Sequence, residues 1–118
     1  MTRLFVYGTL RKGCGNHRRL DKSKYVGIRK TAPGFSLLCL NGLPIMVRSA
    51  GDSRVTGEMY EVTPTTMKRL DILEGHPDFY TREEIHLEDG TGAQAYLFLT
   101  DLTGERDVAE IQSGDWTA

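Results

Sequence analysis

Short apolar runs, separated by turns that contain glycine or proline, are the feature that most restricts how this 118-residue chain can fold. The first run, Leu4-Phe5-Val6-Tyr7, stops at Gly8 and is typical of a buried strand. The Asn41-Gly42 pair is typical of a tight hairpin turn. Strands are predicted over residues 4–7, 25–29, 35–40, 45–47, 55–62, 80–87 and 93–100.

Helical signals are concentrated in residues 64–74. Thr63 can cap this segment, and Pro64 suits its first position because the missing N–H would have no partner there. Gly75 permits the left-handed conformation that ends many helices. A second, short helix is predicted from Asn16 to Leu20. We therefore expect an α+β fold, with a small curved mixed β-sheet or barrel and one or two packed helices.

Length and composition are those of one ordinary globular domain, which we expect to span residues 1–118. Hydrophobic residues make up 39% of the chain and charged residues 26%, and no apolar run reaches the ~20 residues of a membrane span. The sequence shows no signal-peptide pattern, and two cysteines, Cys14 and Cys39, are too few for a disulfide framework. These features predict a cytoplasmic protein that does not bind membranes.

The charges are distributed unevenly along the chain. Residues 1–40 carry a net charge of +8 and residues 41–118 a net charge of −9, which together give −1. A basic segment can indicate nucleic-acid binding, but no nucleic-acid motif accompanies this one. We therefore expect the two halves to neutralise each other within one domain and predict no nucleic-acid partner. The basic residues after the first strand would still favour a small anionic substrate.

The glycine-rich segment 8–15 could bind a phosphate, because Gly8 and Gly13 have the spacing of a phosphate-binding loop. That motif also requires Lys and then Ser or Thr after the second glycine, whereas Cys14-Gly15 follows here. A simpler possibility is that backbone N–H groups of this turn bind a carboxylate or a developing oxyanion. A purely structural tight turn fits the same pattern.

Metal and thiol chemistry have little support in the sequence. His17, His76 and His86 lack the spacing of known zinc motifs, so we expect surface histidines and no metal site. Cys14 lies in a basic segment, but the sequence implies no histidine partner for it, and a small loop residue is the simpler interpretation.

Glu74 is the carboxylate with the most unusual predicted position. It lies four residues after Leu70, on the helix face expected to turn inward, and at the negative end of the helix dipole. Both effects raise a carboxyl pKa towards the range of a general acid or base. A side chain that swings into solvent at the helix end is equally compatible. Glu58 on a predicted strand is the rival carboxylate, with an outward-facing position as its alternative, and Asp71 is expected to be a solvated neighbour.

The chain resembles the gamma-glutamylcyclotransferase-like family, and is most similar to gamma-glutamylamine cyclotransferases and their short bacterial relatives. The resemblance extends over essentially the whole chain, and the pairing of a YGTL opening with a distant LDxxEG is specific. The segments that carry it are Phe5–Gly13, Asn16-His17, Gly57–Val62, Leu70–Gly75, Tyr80, Arg82 and Ser113–Trp116.

The resemblance implies a barrel-like α+β fold with a cavity at the turn after the first strand. It implies that this turn, formed by Tyr7, Gly8, Thr9 and Leu10, binds a gamma-glutamyl group, and that Glu74 is the catalytic acid and base. The implied reaction is attack of the substrate's α-amine on its own γ-carbonyl, which forms 5-oxoproline and expels an amine without any cofactor. A non-catalytic module that binds a small acidic metabolite in the same cavity, and an RNA-binding module, are the alternatives.

Overall fold

A five-stranded sheet and a three-stranded sheet form the framework of the protein, in a computed structural model that describes residues 1–20, 22–100, 102 and 104–116. A 3-10 helix, His17–Leu20, follows the first turn. The remaining elements are β1 (Thr2–Val6), β2 (Lys24–Lys30), β3 (Phe35–Leu40), β4 (Leu43–Arg48), β5 (Thr56–Val62), α1 (Pro64–Leu73), β6 (Tyr80–His86), β7 (Gly92–Phe98) and β8 (Val108–Glu110).

The larger sheet is mixed, as predicted. Its strand order is β2-β5-β1-β7-β6, in which β1 and β7 are parallel and the other neighbours antiparallel. The smaller sheet, β4-β3-β8, is antiparallel. The barrel alternative is wrong, because the edge strands β2 and β6 do not pair with each other in the described part of the chain. A single isolated bridge, Thr31 to Leu87, lies just beyond their ends. The sheets are curved but not closed.

Strand β1 lies at the centre of the larger sheet and is buried on both faces. Leu4 and Val6 belong to the apolar cluster under helix α1, whereas Phe5 and Tyr7 belong to the cluster on the opposite face. Side chains alternate between the two faces of a strand, so a strand that is covered on both faces is apolar at every position and not at every second one. This explains the continuous apolar run at the start of the sequence and confirms the predicted first strand.

Helix α1 packs on the larger sheet through the face that the sequence predicts. Met67 and Leu70 are buried in the cluster that contains Leu4 and Val6. Thr63 caps the helix, since its hydroxyl accepts a hydrogen bond from the Thr66 N–H at 3.2 Å. Such a cap contributes about 1 kcal/mol to helix stability. No helix in the described ranges is long and apolar enough to span a membrane.

Most predicted strands agree with the structure to within two residues, and β3 has the predicted bounds. Strand β8 was not predicted, because its three residues lie among charged and glycine positions and are largely exposed. The predicted internal neutralisation is visible in ion pairs between the basic and acidic halves. Arg11 pairs with Glu58 at 3.2 Å, and Lys24 pairs with Glu61 at 3.8 Å.

Candidate active site

A cavity of about 200 Å³ opens where β1 ends, between the following turn, the end of α1 and strand β4. Tyr7, Gly8, Thr9, Leu10 and Glu74, the residues predicted to form a site, all line it. The other lining residues are Phe5, Val6, Asn16, Leu43, Pro44, Leu73, Phe79, Tyr80 and Tyr96. The structure therefore brings two segments more than sixty residues apart in sequence to one small cavity.

Gly8, Thr9 and Leu10, in the turn after β1, line this cavity. The N–H groups of Gly8, Thr9 and Leu10 donate no hydrogen bond to a described residue. Three consecutive donors of this kind can bind a carboxylate or an oxyanion. Gly8 is required by close packing, because a Cβ atom there would lie 2.7 Å from Cγ of Pro44.

Side chains further along the loop hold the turn in place. The Asn16 amide donates to the Thr9 hydroxyl at 3.0 Å, and the Asn16 N–H donates to the Thr9 carbonyl at 2.9 Å. Nδ1 of His17 lies 3.0 Å from the Leu10 carbonyl, so this nitrogen carries the proton that it donates. The turn is thus fixed from the side of the short 3-10 helix.

Glu74 ends helix α1 and faces the cavity. Its N–H donates to the Leu70 carbonyl at 2.9 Å, and Gly75 then turns the chain with a left-handed φ of 66°. No described residue donates a hydrogen bond to the Glu74 carboxylate. Burial alone raises the pKa of this carboxyl to about 7. Of the two positions that the sequence allowed, the structure has the inward one.

Tyr7, Tyr80 and Tyr96 line the cavity together with Glu74. The Tyr7 hydroxyl donates to the Tyr96 carbonyl at 2.6 Å, and the Tyr80 hydroxyl donates to the Pro44 carbonyl at 2.8 Å. Burial, and after it the neighbouring Tyr80 and Glu74, raise the pKa of Tyr7 well above its ordinary value. The Tyr7 phenol therefore stays protonated, and the Tyr7 and Tyr80 hydroxyls are each held in one orientation by a hydrogen bond.

Asp71, one turn before Glu74, is not the solvated residue that we expected. Arg82 donates to it from Nε at 2.9 Å and from Nη2 at 3.1 Å, and the Tyr96 hydroxyl donates at 2.7 Å. Burial opposes ionisation, but these hydrogen bonds outweigh it and lower the pKa of Asp71. Asp71 therefore ties the last turn of α1 to strands β6 and β7.

Glu58 does not line the cavity, and the outward-facing position considered for it is wrong. The residue is 6% exposed, and its carboxylate accepts hydrogen bonds from three donors. These donors are Arg11 Nε at 3.2 Å, the Lys12 N–H at 2.9 Å and the Tyr60 hydroxyl at 2.8 Å. A carboxylate with all of these partners holds the loop after β1 and is poorly placed to exchange protons with a substrate.

The histidines and cysteines are not arranged for metal binding. Within the described ranges, no group of three or more His, Cys, Asp or Glu side chains could hold a metal ion. The expectation of surface histidines is right for His86 but wrong for His17 and His76, which are half-buried. Nδ1 of His76 accepts a hydrogen bond from the Arg82 N–H at 3.0 Å. Cys14 is a half-buried loop residue without a disulfide partner.

Several lining residues were not predicted as part of a site. Tyr80 belongs to the segments that carry the family resemblance, so that signal was available for it. Leu43, Pro44 and Phe79 gave no sequence signal of their own, since apolar residues beside turns are ordinary. Their place at the cavity depends on how the β3-β4 hairpin and the segment after α1 pack against the turn.

Comparison with known proteins assigns the chain to a family. Residues 4–118 match the family model described as "Gamma-glutamyl cyclotransferase, AIG2-like". The chain belongs to this family. A Methanocaldococcus jannaschii relative named "Putative gamma-glutamylcyclotransferase" is 42% identical over 98% of this chain and 96% of its own length. A Niallia circulans relative, named as the gamma-glutamyl cyclotransferase of gamma-L-glutamyl-butirosin B, is 30% identical over 98% of this chain and 76% of its own.

Solved structures show the same fold. The crystal structure of a mouse AIG2-like protein has a TM-score of 0.83, with 26% identity over 99% of this chain and 88% of the mouse chain. A Pyrococcus horikoshii protein has a TM-score of 0.79, with 30% identity over 98% of this chain and 89% of that protein. The predicted α+β fold is thereby confirmed. Family membership also confirms the predicted class, an enzyme of the gamma-glutamylcyclotransferase kind.

Proposed function

We propose that this gamma-glutamylcyclotransferase family member releases 5-oxoproline from a gamma-glutamyl amine or a related gamma-glutamyl compound, with Glu74 as general acid and base. The observation that carries the proposal is a carboxyl of raised pKa, the only one among the described residues that line a small cavity, together with three backbone N–H groups of the same lining that donate to no described residue. Glu74 supplies proton transfer and the Tyr7–Leu10 turn supplies anion binding. These are the two functions that the cyclisation needs.

The reaction begins with attack of the substrate's α-amine on its own γ-carbonyl carbon. A C–N bond forms, the carbonyl electrons move to oxygen, and the amine nitrogen must lose a proton. Glu74 in its carboxylate form accepts this proton. An ordinary glutamate, with a pKa near 4.5, would be a weaker base than one whose pKa lies near the working pH.

The second half of the reaction expels the leaving amine. The electrons return from the oxyanion, the original C–N bond breaks, and Glu74 gives its proton to the departing nitrogen. Glu74 is then a carboxylate again, and no water is consumed. N–H groups of Gly8, Thr9 and Leu10 stabilise either the oxyanion or the substrate's α-carboxylate during both steps. No step needs a cofactor.

The proposal is tested by incubating the protein with a panel of gamma-glutamyl compounds and measuring 5-oxoproline by mass spectrometry. The panel contains gamma-glutamyl amino acids, gamma-glutamyl amines and gamma-glutamyl-ε-lysine. We expect release of 5-oxoproline from at least one member. The Glu74→Gln variant should release it roughly 10²- to 10⁴-fold more slowly. Binding of glutamate or 5-oxoproline, without turnover of any panel member, would instead identify a non-catalytic binding module with the same cavity.

A further inference from the structure

Part of the rim of the cavity is apolar. Among the lining residues, Phe5, Val6, Tyr7, Leu10, Tyr80 and Tyr96 are buried and form the floor. The more exposed lining residues form the rim, namely Thr9, Asn16, Leu43, Leu73, Glu74 and Phe79. Thr9 and Asn16 belong to the anion-binding turn and its support. Leu43, Leu73 and Phe79 therefore leave an apolar arc for the rest of the substrate.

Phe79 is the most exposed member of this arc and is firmly held. Its side chain is 44% exposed, although its ring packs edge-to-face on Tyr80 and Phe98 at 5.0 and 5.2 Å between centroids. Its N–H donates to the Gly75 carbonyl at 2.8 Å. An aromatic ring that is fixed by its neighbours and still exposed loses little entropy when it contacts a ligand.

Charge is almost absent from this cavity. Among the described residues that line it, Glu74 is the only one with a carboxyl, and none is Lys, Arg or His. A second carboxylate on the leaving group would lie against the apolar rim, partly removed from water, with no cation beside it among the described lining residues, which is costly. A second ammonium would compete for Glu74, the group that must move the reacting proton. Both features favour a leaving amine without a further charge.

The cavity is large enough for the gamma-glutamyl part of the substrate but not for the leaving group as well. Its volume of about 200 Å³ lies below the roughly 300–1,000 Å³ of pockets that enclose drug-sized ligands. A gamma-glutamyl group placed against the turn and Glu74 therefore fills most of it. Whatever is attached to the γ-carbonyl must extend across the rim.

We infer that the amine released by this protein is apolar, an alkyl- or arylalkylamine with no charge besides the reacting nitrogen, and that Phe79 selects for it. The inference rests on the proposed function and narrows its substrate class. Contact with the apolar arc favours such a leaving group, and the missing counter-charges disfavour an amino acid or a polyamine.

The test compares kcat/KM for gamma-glutamylbenzylamide, gamma-glutamylglycine and gamma-glutamyl-ε-lysine. We expect kcat/KM for the benzylamide to exceed both others by about tenfold or more, in line with the discrimination an apolar pocket provides. Phe79→Ala should reduce that ratio about tenfold, and Phe79→Arg should shift it towards gamma-glutamylglycine by offering a cation to the second carboxylate. Ile72→Ala, which removes an 81% exposed apolar residue that does not line the cavity, is the matched control.

The outcomes separate this inference from the proposed function. Turnover that is equal for all three compounds, or greatest for glycine or lysine, would overturn the inference while the proposed function stands. No turnover of these three compounds would overturn the inference, and no turnover of any member of the wider gamma-glutamyl panel would overturn the proposed function as well. A Phe79→Ala protein that melts like the parent but keeps the parent's ratio would remove Phe79 as the selecting residue; if that variant fails to fold, Phe79→Leu replaces it.

Discussion

The Arg82 guanidinium donates two hydrogen bonds, 2.9 and 3.1 Å long, to the carboxylate of Asp71, which lies three residues before Glu74. The Tyr96 hydroxyl binds the same carboxylate at 2.7 Å, so strands β6 and β7 both hold the last turn of α1. A two-point Arg–carboxylate pair fixes orientation as well as distance. The position of Glu74 at the cavity therefore depends on contacts made by Asp71.

Asp71→Asn should lower kcat without removing the general base. The amide keeps one acceptor for Arg82 but loses the charge and the two-point geometry, so Glu74 would be held less accurately. We expect kcat to fall about tenfold, since small misplacements of a catalytic group are costly. The pH midpoint of kcat/KM should stay near the parent's, because Asp71 is not among the causes of the Glu74 pKa. An unchanged kcat would show that Asp71 has only a structural role.

Glu74→Gln should abolish most turnover while ligand binding persists. The change keeps the size of the side chain and removes the titratable proton, so we expect kcat to fall by roughly 10²- to 10⁴-fold. Binding of 5-oxoproline at the Tyr7–Leu10 turn, measured by calorimetry, should remain. Glu84→Gln is the matched control, because Glu84 is exposed and does not line the cavity. Near-normal turnover in Glu74→Gln would refute the assigned role.

The pKa of Glu74 also predicts how activity depends on pH. Burial raises that pKa to about 7, and the attacking amine needs the carboxylate form. We expect kcat/KM to rise with pH through about 7, as measured in buffers of constant ionic strength. An acidic limb centred near 4.5, the ordinary glutamate value, would show that Glu74 is not the titrating base.

The same pKa predicts an opposite trend in stability. The folded protein holds the Glu74 proton up to about pH 7, whereas the unfolded chain releases it near 4.5. The stabilisation from this proton is therefore fully present below pH 4.5 and is lost as the pH rises to about 7. We expect the free energy of unfolding of the parent to fall relative to Glu74→Gln between pH 5 and 8, in urea titrations. A constant difference would mean that Glu74 is solvated when folded.

Sequence patterns predicted much of the fold because the relevant signals are local. The apolar run at β1, the cap at Thr63 and the left-handed stop at Gly75 each follow from neighbouring residues. Helical spacing after Leu70 allowed the inward position of Glu74 but did not decide between it and a solvent-facing one. Strand β8 has no such pattern. It is defined by its pairing with β3, which is distant in the chain and not visible from the residues of β8.

Long-range pairing was beyond reach of the same reasoning. Asp71 was expected to be solvated because nothing near it in sequence shows that Arg82 and Tyr96 fold against it. His76 similarly acquires its partner from the next strand. The apolar arc at the rim combines Leu43 from the β3-β4 hairpin with Phe79, and these residues are far apart in the chain.

Glu58 supports the loop after β1, and its removal should cost stability. Its buried carboxylate binds Arg11 Nε at 3.2 Å and the Lys12 N–H at 2.9 Å, and Arg11 in turn binds Asp115 and the Trp116 carbonyl. Glu58→Gln removes the charge and places an amide N–H₂ among donors, and Arg11 loses one of its carboxylate partners while it keeps Asp115.

We expect Glu58→Gln to lower the free energy of unfolding by about 3 kcal/mol, the lower end for breaking a buried ion pair. Urea titration measures it, with an unchanged m-value as evidence that the unfolding transition is the same. Glu61→Gln, on the same strand, is the control, because the ion pair between Glu61 and Lys24 is 3.8 Å long and exposed, and we expect a change within about 0.5 kcal/mol.

Turnover measurements distinguish the roles of the Glu58 and Glu74 carboxylates. If Glu58→Gln abolished turnover in a folded protein while Glu74→Gln left it intact, the assignment of Glu74 as the general acid and base would be wrong, because the protein would not need a titratable proton at position 74.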